Sequence, residues 1–159
     1  YNTFSQEWMI QLAVSYLENP PKVNEIFITN EYRNNSGLER NGYLHYDRFH
    51  TFKYMIYLTD CDKESGAFSC IPGTNIEGKF LRGRNWNTTT EYGEVKNRIF
   101  IDFPELSYTK RDVVPVEGAS GTLIIFDTDV FHMGGHVEDG KERLLIRSHL
   151  HDGSRFNMV

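Results

Sequence analysis

The chain has 159 residues, a formal net charge of −5, a hydrophobic fraction of 39% and an aromatic fraction of 14%. This predicts one globular domain over residues 1–159 with a proper core, and excludes a disordered chain. No Lys/Arg run makes a basic stripe and no apolar stretch approaches the roughly 20 residues of a membrane span, so neither nucleic acid nor a bilayer is an expected partner.

In chain order, the first predicted element is a helix over about 5–18. Met9, Leu12, Ala13, Tyr16 and Leu17 fall at i, i+3, i+4, i+7 and i+8, one apolar stripe. Ser5 stands at the N-cap position and Pro20-Pro21 stops the segment. The period then falls to two. Glu25 to Arg33 reads as a strand, Asn34-Asn35-Ser36-Gly37 as a turn, and Gly42 to His45 as a short strand. From Thr51 to Thr59, Phe52, Tyr54, Ile56 and Leu58 alternate with Lys53, Met55 and Tyr57, a strong strand. Gly66 to Ile71 is another, ended by Pro72-Gly73.

Residues 74–110 are polar, glycine-bearing and without period. A stretch that long reads as a lid or binding loop. Asn87-Thr88-Thr89 within it fits a glycosylation sequon and reads as chance loop polarity. Val113 to Val116, Gly121 to Asp127 and Glu142 to His151 read as three more strands. Short strands with turns between them and one helix in front predict a mainly β fold: a barrel or double-sheet sandwich over about 25–151, with the N-terminal helix packed on the sheet.

Cys61 and Cys70 lie nine residues apart with no CxxC spacing, which predicts free thiols in a reducing compartment rather than a disulfide or a thiolate zinc site. With no signal peptide visible, the expected location is cytoplasmic. The chain opens on Tyr1 instead of methionine, which predicts a processed or incomplete N-terminus.

The chemistry sits in two stretches far apart. In Gly42-Tyr43-Leu44-His45-Tyr46-Asp47, His45 and Asp47 are i, i+2 and point to one side of a strand. His132 lies 85 residues beyond Asp47, in Val130-Phe131-His132-Met133-Gly134-Gly135, just after a buried strand. The two glycines leave room there for a ligand or for tight backbone packing. Two imidazoles and a carboxylate on one face of a metal, with open positions opposite, form the ligand set of non-haem iron(II) oxygenases. His136 competes with His132 for the third position; His132 is preferred because it is nearer the strand end and eleven residues before Arg143. His149-Leu150-His151-Asp152 is a weaker second cluster.

On the last strand Arg143, Leu145 and Arg147 share one face, and Leu144 and Ile146 the other. If the leucine and isoleucine face an outer layer, the arginines enter the barrel. A buried guanidinium needs an anion; either the carboxylate of a small diacid or an internal Asp or Glu meets that need. Lys53, Arg147 and Arg48 are weaker candidates for contacts to a cosubstrate or an anionic substrate.

These segments, taken in order, resemble the phytanoyl-CoA dioxygenase family of iron(II)- and 2-oxoglutarate-dependent oxygenases. The matching pieces are Leu44-His45-Tyr46-Asp47-Arg48, Lys53 to Asp60, Ser65-Gly66-Ala67-Phe68, Ile71-Pro72-Gly73-Thr74, Gly121 to Asp127, His132 and Arg143. The resemblance implies a double-stranded β-helix, a jelly-roll or cupin-like barrel. It implies Fe(II) held by His45, Asp47 and His132 as the catalytic centre, and 2-oxoglutarate anchored through its distal carboxylate by Arg143. The implied activity is that of a dioxygenase. Dioxygen is consumed, a small organic substrate is hydroxylated, and succinate and CO2 are released. Asp47 fills the position that related halogenases keep small, which implies oxidation over halogenation. No residue selecting a coenzyme A thioester is identified, so the family name does not supply a substrate. The alternative from a different class is a non-catalytic cupin-like barrel that binds a ligand or a redox-inactive metal.

Overall fold

The computed structural model describes residues 3–17, 20–21, 23–33, 42–86 and 96–151. The turn expected at 34–37, the sequon and Asp152 lie outside these residues. Helix α1 (Glu7–Leu17) comes first, followed by strands β1 (Val23–Tyr32), β2 (Phe52–Tyr57) and β3 (Ser69–Ile71). Helices α2 (Asn75–Trp86) and α3 (Ile99–Asp102) lie next, then β4 (Val114–Pro115), β5 (Leu123–Asp127), β6 (Phe131–Met133) and β7 (Glu142–His151).

The strands form two antiparallel sheets. The larger has the order β1-β7-β2-β5 and the smaller β4-β3-β6. This is the mainly β double-stranded β-helix that the strand pattern and the resemblance led to. Alternation along β2 and β7 decides which residues face which layer. Phe52, Tyr54 and Leu150 face outward onto Phe4, just ahead of α1, and onto Met9, Ala13 and Leu17 of α1, with Ile56 and Ile146 beside them. Met55, Tyr57 and Leu145 face inward, packed with Ile124, Cys61, Ala67 and Phe68 between the sheets. A third cluster of Leu44, Tyr46, Ile71, Leu81, Ile99, Phe103 and Phe131 lies where α2 and α3 meet the smaller sheet.

Helix α1 buries Met9, Ala13 and Leu17 from the expected stripe. Tyr16 is 45% exposed but stacks on Phe52 at 4.9 Å between ring centroids. The Gln6 carbonyl accepts the first helical bond, from the Ile10 N–H, so the helix starts later than a Ser5 cap would put it.

Three expectations need correction. Residues 74–110 are not one irregular loop: they contain α2 and α3. Among the described side chains of α2, Leu81 is the one large apolar residue that is buried, while Ile76 and Phe80 are 80% and 67% exposed, so there is no apolar period to read. The helix is seated by polar contacts instead. The short strand expected at Gly42 to His45 reduces to single bridges from His45 to Arg98 and to His132. His132 follows β5 as expected, but β5 is half exposed, with Leu123 and Ile125 37% and 38% exposed, and His132 occupies the middle of a further strand, β6, paired across from Cys70 of β3. Both cysteines are free thiols. No helix among the described residues is long and apolar enough to cross a membrane.

Candidate metal centre

Backbone pairing brings the distant stretches together. His45 N–H donates to the His132 carbonyl at 2.9 Å, and His132 N–H returns the bond to His45 at 2.8 Å. Residues that exchange both bonds stand directly opposite and present their side chains on one face. The imidazole centroids are 4.5 Å apart. Two residues on, Asp47 N–H donates to the Thr128 carbonyl at 3.0 Å, so the carboxylate projects to the same side as His45.

Each ring is oriented through its other nitrogen. His45 Nδ1 lies 2.7 Å from the Tyr43 carbonyl and His132 Nδ1 2.8 Å from the Val130 carbonyl. A carbonyl can only accept, so both Nδ1 atoms carry the proton and both Nε2 atoms present a lone pair. Asp47 Oδ1 stands 3.6 Å from His45 Nε2 and 3.5 Å from His132 Nε2. Neighbouring ligands of an octahedral ion bound at about 2.1 Å stand about 3 Å apart, close to these separations. Oδ2 of the same carboxylate takes Lys53 Nζ at 2.6 Å, leaving Oδ1 to face the histidines.

The electrostatics suit a cation. Burial opposes ionisation of Asp47, but the Lys53 ammonium and the two histidines outweigh it and hold the carboxyl well below the usual carboxylate range. Burial pushes the His132 imidazole below its ordinary value, with His45 and Lys53 adding to the effect against the pull of Asp47. A neutral imidazole beside an ionised carboxylate is the protonation pattern a divalent ion requires. The donor set therefore fits a first-row divalent metal. Phe126 and Phe68 flank His132, at centroid distances of 5.1 and 6.0 Å, and screen it from water.

A cavity of about 60 Å³ opens from the centre, lined by both histidines, Lys53, Met55, Arg143 and Arg147 among others. Arg143 is 3% exposed and enters this cavity. Its guanidinium is already engaged: Nη2 pairs with Glu31 of β1 and Nη1 donates to the Gly66 carbonyl. Arg147 lies over the Phe27 ring at 5.6 Å. Arg48 lies over Phe49 and does not line the cavity. A second, wider cavity of about 800 Å³ adjoins the first through Met133, with Tyr43, Leu44, Phe100, Ile101 and Val113 on its walls.

The competing histidines fall elsewhere. His136 is exposed on the wider cavity and outside the His45, Asp47, His132 group. Among the described residues, His149 and His151 join no cluster that can hold a metal. Gly135 serves backbone packing, since a Cβ on it would lie 2.7 Å from the Ala67 carbonyl oxygen, whereas Gly134 lines the small cavity.

Sequence reasoning missed two features. Glu31 gives no signal until the β1–β7 register is known. The other is a second acidic group of His50, Asp127 and Asp129. There His50 Nε2 is 3.1 Å from Asp127 and 3.7 Å from Asp129. Arg82 of α2 occupies both Asp129 oxygens at 2.6 and 2.8 Å, so this is an ion-paired structural joint.

Residues 26–144 match the family described as Phytanoyl-CoA dioxygenase (PhyH). An uncharacterized protein of Mycobacterium tuberculosis is 41% identical over 46 residues, which are 29% of this chain and 17% of that protein. HygX from Streptomyces hygroscopicus, solved with nickel and 2-oxoglutarate bound, superposes with a TM-score of 0.58 at 14% identity, covering 92% of this chain and 64% of HygX. The epimerase SnoN, solved with Fe3+, alpha ketoglutarate and nogalamycin RO, gives a TM-score of 0.58 at 15% identity, covering 96% of this chain and 58% of SnoN. At these identities the likeness is one of fold, and the chain spans less than two thirds of each of these proteins. The sequence match over most of the chain, on a fold of this type, shows that it belongs to the phytanoyl-CoA dioxygenase family of iron(II)- and 2-oxoglutarate-dependent oxygenases.

Proposed function

We propose that this chain is a catalytic dioxygenase domain that hydroxylates a small organic substrate, consuming dioxygen and 2-oxoglutarate and releasing succinate and CO2. The observation that carries the reading is the convergence of His45 Nε2, Asp47 Oδ1 and His132 Nε2, with both rings locked in the metal-binding tautomer. The metal and 2-oxoglutarate in the HygX and SnoN structures support the same pairing for this fold.

His45, Asp47 and His132 would hold Fe(II) from one side, leaving the opposite positions open. Arg143 would take the distal carboxylate of 2-oxoglutarate in a two-pronged contact. Bound together, iron and cosubstrate supply oxidative decarboxylation coupled to substrate oxidation. The chain's own part is placement and shielding. The Tyr43 and Val130 carbonyls fix the imidazoles, Lys53 orients Asp47, and Phe68 and Phe126 exclude water from His132. The wider cavity adjoining Met133 would receive the substrate.

The test is oxygen uptake and succinate formation with Fe(II) and 2-oxoglutarate. Both are expected from the wild type, and both should fall to background in His132→Ala and Arg143→Ala; unchanged turnover in either variant contradicts that residue's role. The Arg143–Glu31 pair favours a second reading, a barrel that binds metal without turnover, because the anchor already has a carboxylate. Metal binding with no 2-oxoglutarate-dependent succinate would select it.

A further inference from the structure

We propose that Glu31 sets the affinity of this centre for its diacid: its carboxylate occupies one end of the Arg143 guanidinium and must yield when the cosubstrate's far carboxylate binds. The inference rests on the reading of Arg143 as the anchor.

Glu31 and Arg143 are direct partners in the β1–β7 register, both on the inner face. The guanidinium is 3% exposed and needs a counter-charge, because an unpaired buried cation is strongly destabilising. Glu31 supplies that charge in the absence of any ligand, but its contact is partial. It engages Nη2, the Gly66 carbonyl takes Nη1, and Nε is buried with no hydrogen-bond partner. A carboxylate arriving side-on from the cavity would engage Nε and Nη2 together, which is a stronger contact than the one it replaces.

Position leads to the same exchange. Glu31 lines the same small cavity as Arg143 and both histidines, so its carboxylate stands where a diacid reaching from the histidine cluster to Arg143 has to arrive. Withdrawal is open to it. Its side chain is 24% exposed, and β1 is an edge strand of its sheet, paired among the described strands with β7 alone. Turning the carboxylate to solvent breaks no backbone ladder. Affinity for the diacid is then the difference between two carboxylates competing for one guanidinium.

The experiment is calorimetric titration of 2-oxoglutarate into manganese(II)-loaded protein, comparing wild type, Glu31→Gln, Glu31→Asp and Arg143→Ala. Glutamine keeps the shape and removes the competing charge, so Glu31→Gln should bind 2-oxoglutarate roughly tenfold more tightly. Glu31→Asp, whose shorter side chain reaches the guanidinium less well, should show a smaller tightening and serves if Glu31→Gln does not fold unliganded. A thermal melt adds a readout independent of turnover. Glu31→Gln should melt lower than wild type without ligand and regain more on addition of 2-oxoglutarate. Equal or weaker binding by the Glu31 variants, with binding lost in Arg143→Ala, overturns the proposal and leaves the anchor role standing. Unchanged binding in Arg143→Ala overturns both.

Discussion

At the scale of single residues, two carbonyl groups decide whether a histidine pair is a ligand set. Tyr43 and Val130 each hold an Nδ1 proton and turn an Nε2 lone pair toward Asp47. Losing an outer partner of this kind typically costs about 10–100-fold in metal affinity. Removing a donor itself costs more, so His132→Ala and Asp47→Ala should each weaken manganese(II) binding by more than about 100-fold in equilibrium dialysis. His136→Ala, outside the cluster, should bind as wild type; a loss there would move the third donor to His136. That His45 and Asp47 share one side was legible from i, i+2 alternation, whereas their meeting with His132 was implied by the family resemblance and comes about through the His45–His132 backbone bridge. The inward direction of Arg143 was also legible, from Leu144 and Ile146 on the opposite face of β7. Its partner was not. The choice between a diacid and an internal acid turns on Glu31, which joins Arg143 only through strand pairing across 112 residues.

At the scale of elements, α1 and α2 are held by opposite means. Helix α1 carries an apolar stripe onto Phe52, Tyr54 and Leu150, and such a stripe can be read directly. Helix α2 buries little apolar surface. Its seat is the Arg82–Asp129 pair together with Gly78, one turn earlier on the same face, where a Cβ would lie 1.8 Å from the Asp129 carbonyl oxygen. Neither contact leaves a periodic trace, so the segment looks like a loop in sequence. Glycine inside a helix normally costs up to about 1 kcal/mol against alanine. Here the sign should reverse, with Gly78→Ala destabilising by about 1–3 kcal/mol as the helix is pushed from the turn before β6. A urea denaturation midpoint lower than wild type is the expected result. A higher one would mean that α2 does not press on Asp129, and would detach this helix from the strand that carries His132.

At the scale of the whole molecule, polar groups, some buried between the layers and some in surface turns, bound the stable pH range by their titration. Tyr57 shows the pattern: its hydroxyl donates to the Val116 carbonyl at 2.9 Å and accepts the Phe68 N–H at 2.9 Å, joining β2 to the segments flanking β3 and β4. Burial raises its pKa, and burial pushes Tyr54 up to about 12. A phenol with a raised folded pKa contributes stability that is full below its unfolded value of about 10 and is lost as pH climbs toward 12. The carboxylates act at the other end. Ser65 holds Asp62 down to about 2, and at Asp102 and Asp127 the partners Arg98 and His50 outweigh burial and lower both. Their contribution is present above the ordinary carboxylate value and is lost as pH falls from about 4 toward 2. His132, buried with its pKa lowered, adds a loss that begins as pH falls below about 6.5. The Cys61 and Cys70 thiols, raised by burial, add one that begins above about 8.5. Melting temperature should therefore be flat between about pH 7 and 8.5 and decline on both sides; a steady slope across that plateau would contradict this account. A mainly β barrel or sandwich was legible from strand alternation and turns, and its β-helix form from the family resemblance, whereas ties such as Tyr57–Val116 and His50–Asp127 depend on pairings between distant segments. The central claim is that the early and late stretches meet at one metal ion. Anaerobic titration of Fe(II) in the presence of 2-oxoglutarate tests it most directly, by the metal-to-ligand charge-transfer absorption of the chelated cosubstrate. The account predicts a band that saturates at one iron per chain and is absent in His132→Ala. A band that survives in His132→Ala, or never forms in the wild type, would contradict it.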